Sequence, residues 1–129
     1  MSRIGYKQLV EAAEKNIKII PAVEAVSLHG GDNVVFVDLR DVRELKREGG
    51  IPGAFHCPRG LLEFWIDPES PYHHAIFAEP KEFVFFCNLG WRSALAADIA
   101  QQMGLRTSHI DDGFEAWKAA GGAVAESTK

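Results

Sequence analysis

The fold of this chain is decided by residues 83–93, which read Phe-Val-Phe-Phe-Cys-Asn-Leu-Gly-Trp-Arg-Ser. The first four are β-branched or aromatic, which is typical of a strand that is covered on both faces. Gly90 permits a sharp turn because glycine adopts backbone conformations that other residues avoid. Beyond the turn, Leu95, Ile99 and Met103 recur at helical spacing and predict the buried stripe of a helix. The segment therefore predicts a strand, a tight loop and a helix in immediate succession.

Strands and helices alternate along the rest of the chain. Further strands are predicted at residues 18–20, 34–37, 51–55 and 107–110, and further helices at residues 6–16, 21–28, 41–48, 60–66 and 114–120. Because such alternation implies right-handed crossovers, we expect the strands to lie parallel, with helices on both faces. The sequence thus predicts one α/β domain over residues 1–129, a three-layer α/β/α fold with a central, mainly parallel five-stranded sheet. In such sheets, ligands bind at the carboxyl ends of the strands.

Composition narrows the classes of partner. The chain has 129 residues, of which 47% are hydrophobic and 25% are charged, as in ordinary folded domains. Its net charge of −4, without a run of like charges, argues against a nucleic-acid partner. No apolar stretch approaches the length needed to cross a bilayer, so we expect no membrane association. With only two cysteines, Cys57 and Cys87, we expect free thiols and a cytoplasmic location.

The residues after the strand predicted at 83–86 carry the chemistry. Cys87 is delivered to the carboxyl edge of the sheet, where amides of the turn and the helix N-terminus favour negative charge. Arg92 adds a fixed cation, and the Ser93 hydroxyl is placed to donate to the sulfur or to a leaving group. We therefore expect Cys87 to be a thiolate nucleophile at neutral pH without a histidine or carboxylate base.

Four stretches together resemble the rhodanese-like sulfurtransferase family, in its single-domain form. Residues 35–40, with Glu44 after them, resemble that family's strand ending in Asp-x-Arg. Residues 50–54 resemble its Gly-His-Ile-Pro-Gly-Ala motif, and residues 113–117 its C-terminal Gly-x-x-x-Trp signature. The central match is Cys87 to Ser93, which fits the Cys-x-x-Gly-x-Arg-Ser active loop. The order and spacing of these motifs make the resemblance specific.

The resemblance implies transfer of a sulfane sulfur without a metal or other cofactor. In that family, the loop cysteine attacks the outer sulfur of a donor such as thiosulfate and holds it as a persulfide. It then passes the sulfur to a thiophilic acceptor, and either partner can be a small molecule or a protein. By position, Cys87 is the catalytic residue. The substrate-binding loop is formed by Asn88, Leu89, Gly90, Trp91, Arg92 and Ser93.

The chain departs from the family pattern at three places, one of which is that no proline follows Gly122. Gly49-Gly50 replaces the usual Gly-His, and Asp112 stands where a glycine is usual. Asp111 and Asp112 are expected near the mouth of the site, where acidic groups oppose an anionic donor. As a hypothesis, Arg59 offsets this charge, and Arg59, Trp91, Phe64 and Trp65 shape the entrance.

Several other residues are predicted to be structural. Asp38 and Arg40 follow a buried strand, and we expect a structural ion pair there, with Glu44 as the partner of Arg40. Cys57 is predicted to be a buried thiol. The histidines lack metal-ligand spacing, so no metal site is predicted at His56, His73 or His74.

Two other function classes stay open. Cysteine-based phosphatases and arsenate reductases use a Cys-x5-Arg loop, whereas this chain has four residues between Cys87 and Arg92. The shorter loop favours sulfur over the bulkier phosphoryl group. A non-catalytic sulfur carrier or regulatory binding module is the other alternative, although such modules often lose the nucleophile that this chain keeps.

Overall fold

Five parallel strands form the central sheet in a computed structural model that describes residues 3–126. The strands are β1 (Lys18–Ile20), β2 (Val34–Asp38), β3 (Phe55–His56), β4 (Glu82–Phe86) and β5 (Arg106–Ile110). Their order across the sheet is β1-β5-β4-β2-β3, and every pairing is parallel. The predicted α/β class and sheet are therefore confirmed, and β4 occupies the centre of the sheet.

Six α-helices connect and cover these strands within residues 3–126. They are α1 (Tyr6–Glu14), α2 (Ala22–Leu28), α3 (Val42–Glu48), α4 (Leu62–Ile66), α5 (Trp91–Gln102) and α6 (Gly113–Ala119). Two short 3-10 turns add to them, at Arg59–Leu61 and Ala75–Ala78. No helix among these is long and apolar enough to cross a membrane.

The alternation of side chains along β4 divides the core into two layers. Phe83 and Phe85 point to one face of the sheet and pack in a cluster that includes alanines of α5. Val84 and Phe86 point to the other face and pack in a cluster that includes Trp117 of α6 and two alanines of α2. Both faces of the strand are therefore buried, which explains why its sequence is apolar without alternation.

Helix α5 buries a different face from the one that we predicted. The buried residues are small: Ala94, Ala96, Ala97 and Ala100, together with Ser93. Leu95 and Ile99 of the predicted stripe are only half-buried, and Met103 is exposed. Small side chains allow the helix backbone to approach the sheet closely, so the alanine face and not the large apolar stripe lies inward.

The third strand is shorter and later than predicted. Residues 51–54 form a turn, in which the amide of Ala54 donates to the carbonyl of Ile51 at 3.1 Å. Only Phe55 and His56 pair with β2, opposite Val37 and Asp38. The proline at position 52 cannot donate to the ladder, which is consistent with pairing that begins after the turn.

Candidate active site

Cys87 lies at the carboxyl edge of the sheet, directly after the central strand β4. The chain then turns through Gly90, whose φ of 100° lies in the left-handed region, and α5 begins at Trp91. Neighbouring segments hold the turn in place. The amide of Leu39 donates to the carbonyl of Phe86 at 3.0 Å, and the amide of Phe114 donates to the carbonyl of Cys87 at 2.7 Å.

The sulfur of Cys87 has two close polar neighbours in its own loop. The amide of Gly90 donates to Sγ at 3.2 Å, and Ser93 Oγ lies 3.6 Å from Sγ. Among the described residues, the amide of Gly90 is the one loop amide within hydrogen-bond distance of the sulfur. The sequence predicted several such amides. The amides of Trp91, Arg92 and Ser93 open helix α5, which directs its positive end toward the same loop.

A cavity of about 270 Å³ opens beside the sulfur and is lined by Cys87, Asn88, Leu89, Trp91 and Arg92. Because Cys87 is only 1% exposed, its sulfur lies at the floor of this cavity and not at its rim. Leu89 and Trp91 are exposed apolar residues of the lining, at 54% and 50%. The ring of Tyr6, from α1, packs against the ring of Trp91 with 4.8 Å between their centroids.

The cation of the loop, Arg92, is paired with Glu44 of α3. Two hydrogen bonds, at 2.7 and 2.9 Å, join the guanidinium to the carboxylate. These bonds lower the pKa of Glu44 from 4.5 to about 2, and the same contact raises the pKa of Arg92. Asn88 adds hydrogen bonds to Glu44 at 3.2 Å and to Glu48 at 3.3 Å. The positive charge beside the cavity is therefore largely compensated.

A second, buried ion pair supports the loop from below. Both Asp38 and Arg40 are almost fully buried, and the guanidinium of Arg40 donates to the two carboxylate oxygens of Asp38 at 3.0 and 2.8 Å. It also donates to the carbonyl of Gly49 at 2.8 Å and to Oδ1 of Asn88 at 3.3 Å. Arg40 thus forms a structural ion pair, but with Asp38. The predicted partner, Glu44, was wrong because its carboxylate bonds to Arg92.

The start of helix α6 packs against the backbone of the active loop. Gly113 has a φ of 59°, and a Cβ atom at this position would collide with the carbonyl of Cys87 and lie 2.6 Å from that of Asn88. Asp112 also has a positive φ, 57°, which explains why a glycine suits this position. The first residue of the Gly-x-x-x-Trp motif therefore permits close contact with the loop that carries the cysteine.

Sequence reasoning did not identify His109 of β5 or Glu14 of α1 as neighbours of this site. The Nδ1 atom of His109 lies 3.0 Å from Ser93 Oγ, and its Nε2 atom lies 3.7 Å from Oε2 of Glu14. Burial lowers the pKa of His109. The available signal was a polar ring within a strand predicted to be buried, but sequence alone does not show which side chain it meets.

Of the four residues expected at the entrance, Trp91 lines the cavity at Cys87, and the other three lie elsewhere. Arg59 pairs with Glu63 at 3.0 Å, and neither residue lines the cavity at Cys87. Phe64 and Trp65 line a separate, largely apolar cavity of about 450 Å³ with Leu61 and Tyr72. Asp111 and Asp112 are exposed and also absent from the lining of the Cys87 cavity.

The second cysteine is a buried thiol, as predicted. Cys57 is fully buried, is not in a disulfide, and has a pKa raised by burial to about 12. It follows β3, and Cys87 follows β4, with β2 between these two strands. Two strand spacings of about 4.8 Å each exceed the Cα separation that a disulfide spans. A disulfide between the two cysteines would require backbone movement.

The three histidines set aside in the sequence have structural contacts. His56 bonds to the carbonyl of Arg40 at 2.6 Å through Nε2, and His73 bonds to the carbonyl of Trp65 at 3.0 Å through Nδ1. His74 stacks on the ring of Trp65, with 4.0 Å between the centroids. The contacts of His73 and His74 tie the segment after α4 to that helix.

The chain is similar to known proteins in sequence and in fold. The Rhodanese-like domain family matches the chain over residues 22–120. A mitochondrial thiosulfate sulfurtransferase from Saccharomyces cerevisiae is 31% identical over 107 residues, which cover 78% of this chain and 71% of that protein. A thiosulfate:glutathione sulfurtransferase from Homo sapiens is 31% identical over 87 residues, 63% of this chain and 75% of that protein. A solved structure from Rhodopseudomonas palustris, described as a protein of unknown function and possible tyrosine phosphatase, is 50% identical, with a TM-score of 0.94 over 97% of both chains.

Proposed function

Since this chain belongs to the Rhodanese-like domain family, we propose that it is a sulfurtransferase that carries a sulfane sulfur as a persulfide on Cys87. The observation that carries the proposal is the position of the sulfur. It lies at the floor of a cavity beside the N-terminus of α5 and accepts a hydrogen bond from the amide of Gly90 at 3.2 Å. Among the described residues that line the cavity, Cys87 alone carries a nucleophilic side chain.

The reaction has two displacement steps. In the first, the thiolate of Cys87 attacks the sulfane sulfur of the donor, and the sulfur–sulfur bond of the donor breaks. The bonding electrons leave with sulfite, when the donor is thiosulfate, or with a thiolate, when it is an organic persulfide. In the second, a thiophilic acceptor attacks the outer sulfur, and the bond to Sγ breaks. Cys87 returns to its thiolate form, so no oxidant or reductant is consumed.

The loop stabilises the sulfur in each of these states. The Gly90 amide faces Sγ, which carries the negative charge in the thiolate and regains it as the second displacement proceeds. The positive end of α5 acts on the same atom, and its effect declines within the first turn of the helix. Sulfur donors and acceptors of low charge suit the cavity because Leu89 and Trp91 line it and Arg92 is already paired with Glu44.

Phosphatase chemistry is the second candidate, because one 50% identical structure is described as a possible tyrosine phosphatase. Two features of this chain favour sulfur transfer over it. The loop has four residues between Cys87 and Arg92, one fewer than the phosphatase pattern. The guanidinium that would clamp a phosphate instead bonds to both oxygens of Glu44. A phosphoryl dianion would have to displace this carboxylate.

A paired assay separates the two enzymes. We expect cyanide-dependent formation of thiocyanate from a sulfane-sulfur donor and no hydrolysis of an aryl phosphate, with Cys87→Ser inactive in both reactions. Cys57→Ser is the matched control, because that thiol is buried away from the cavity, and it should keep the activity. Hydrolysis of the phosphate without any sulfur transfer would replace the proposal with the phosphatase. Absence of both activities would favour a regulatory binding module.

The partners are part of the proposal. We propose a small sulfur donor and a thiophilic acceptor, with a protein thiol or protein persulfide as an alternative on either side. Exposed apolar rings support the protein alternative, because Tyr6 and Trp91 present a continuous apolar surface at the cavity. A donor panel of thiosulfate, mercaptopyruvate, glutathione persulfide and a cysteine desulfurase with cysteine would rank these sources by the rate at which Cys87 is loaded.

A further inference from the structure

A line of polar side chains leads from Cys87 to the surface at helix α1. Ser93 Oγ lies 3.6 Å from the sulfur, and His109 Nδ1 lies 3.0 Å from Ser93 Oγ. The Ser93 hydroxyl has a second, longer acceptor in the carbonyl of Gly90, at 3.3 Å. On the other side of the imidazole ring, Nε2 lies 3.7 Å from Oε2 of Glu14. Ser93 and His109 are buried, whereas the side chain of Glu14 is 33% exposed. The line therefore connects a buried thiol with solvent through two buried groups.

The imidazole of His109 lies among apolar neighbours in the sheet. Its partners across β1 and β4 are Ile19 and Phe85, which offer it no side-chain hydrogen bond. Its Nε2 atom is buried, and within residues 3–126 no acceptor lies within hydrogen-bond distance of it. A buried polar atom without a partner is costly, so packing alone gives no reason for a histidine at this position.

The charged groups that face His109 come from three elements. Glu14 approaches from α1, and Asp111 follows at the end of the histidine's own strand. Cys87, which follows β4, reaches His109 through Ser93. The charge of Arg92, the cation of the loop, is compensated by Glu44. Burial lowers the pKa of His109 and Asp111 opposes this effect, so the ring by itself is neutral and its Nδ1 is open as an acceptor. An imidazolium at this position requires the adjacent thiolate and the carboxylate of Glu14 to stabilise its charge.

We propose that Ser93 and His109 form a relay that takes the proton of the Cys87 thiol as the nucleophile is generated. The Sγ–H bond breaks, and its proton passes to Ser93 Oγ as the hydroxyl proton of Ser93 passes to Nδ1 of His109. The products are a thiolate and an imidazolium, whose Nε2–H points toward the carboxylate of Glu14. No atom or electron is gained or lost.

The relay deepens the proposed function and rests on it in taking Cys87 as the nucleophile. Ser93 touches the reacting sulfur and is a catalytic residue in this scheme. His109 acts on the sulfur through Ser93 and holds the proton that leaves it, whereas the sequence predicted a thiolate without a histidine base. Because Cys87 is 1% exposed, a route for its proton through the protein adds to the direct route through the cavity.

The test is the pH dependence of alkylation of Cys87 by iodoacetamide in the full chain, followed by mass spectrometry of the peptide. We expect His109→Gln and Ser93→Ala to raise the midpoint pH by about one unit, equivalent to tenfold less thiolate at a given pH below it. Glu14→Gln should shift the midpoint in the same direction by less. Glu11→Gln is the matched control on the same helix, at an exposed position, and should leave the midpoint unchanged.

An unchanged midpoint in the Glu14 and Ser93 variants would overturn the relay, whatever happens to the stability of the His109 variant. A purely structural role of His109 would lower the melting temperature and leave the midpoint in place. Alkylation needs no sulfur donor, so this experiment fails or succeeds independently of the proposed function. If the alkylation midpoints shift as expected but no persulfide forms on Cys87, the relay would be supported and the proposed sulfurtransferase activity would be rejected.

Discussion

The guanidinium of Arg92 holds the carboxylate of Glu44 in two hydrogen bonds, at 2.7 and 2.9 Å, across 48 positions of sequence. This contact joins helix α3 to the first turn of α5. It fixes the orientation of the active loop and at the same time removes most of the positive charge that the loop would otherwise present. Two predictions follow from these two effects, one on stability and one on the choice of donor.

The first prediction concerns acid stability. In the folded chain, the pKa of Glu44 is about 2, against its ordinary value of 4.5. Because the folded-state value is depressed, the pair contributes its full stability above pH 4.5 and loses it as the pH falls toward 2. Because the guanidinium is partly exposed, we expect the pair to contribute about 1 to 2 kcal/mol to the free energy of unfolding. Urea unfolding between pH 7 and pH 2 measures it. Glu44→Gln should be less stable than the wild type at neutral pH by this amount and should converge with it at acid pH; a constant difference would contradict the assignment.

The second prediction concerns charge at the cavity. Glu44→Gln leaves the guanidinium of Arg92 uncompensated, so the KM for thiosulfate should fall by about fivefold at low salt. The gain should shrink as the ionic strength rises. Glu63→Gln is the matched control, because it frees Arg59 at a place that does not line the cavity. If the control lowered the KM as much as Glu44→Gln, long-range charge and not Arg92 would set donor binding.

The third prediction concerns the contact between α6 and the active loop. A methyl group at Gly113 would collide with the carbonyls of Cys87 and Asn88, so Gly113→Ala should destabilise the chain by about 3 kcal/mol and abolish loading of Cys87. Gly121→Ala is the control, because Gly121 also has a positive φ but has open space around it. We expect about 1 kcal/mol there and normal loading. Thermal unfolding and a sulfur-loading assay of both variants separate the two effects. Gly121→Ala reports the cost of a positive φ alone, and any larger loss in Gly113→Ala reports the collision with the loop.

The fourth prediction concerns the buried ion pair below the loop. Arg40→Met leaves the carboxylate of Asp38 buried without its partner and should cost about 3 to 5 kcal/mol. The equivalent change in an exposed pair, Arg43→Met, should cost about 0.5 kcal/mol or less, because both Arg43 and Asp41 are exposed. If denaturant unfolding gave both variants the same loss of unfolding free energy, burial would not determine how much an ion pair contributes to stability.

The sequence was most informative where local pattern decides the structure. The apolar run of β4 and the glycine at position 90 predicted the strand, the turn and the helix that place Cys87 at the sheet edge. Large apolar residues were a poor guide to α5, because alanines make the close contact with the sheet. Local pattern also failed for side-chain partners distant in sequence, which is why Glu44 was assigned to Arg40 and His109 was not placed beside Ser93.

The central claim, that Cys87 accepts a sulfane sulfur, is tested most directly by intact-mass measurement after exposure to a sulfur donor. We predict an adduct of one sulfur atom, mapped to the peptide containing Cys87, removed by cyanide, absent in Cys87→Ser and retained in Cys57→Ser. If every donor of the panel left the folded wild-type chain at its unmodified mass, Cys87 would not be a sulfur carrier and the account of this site would be wrong.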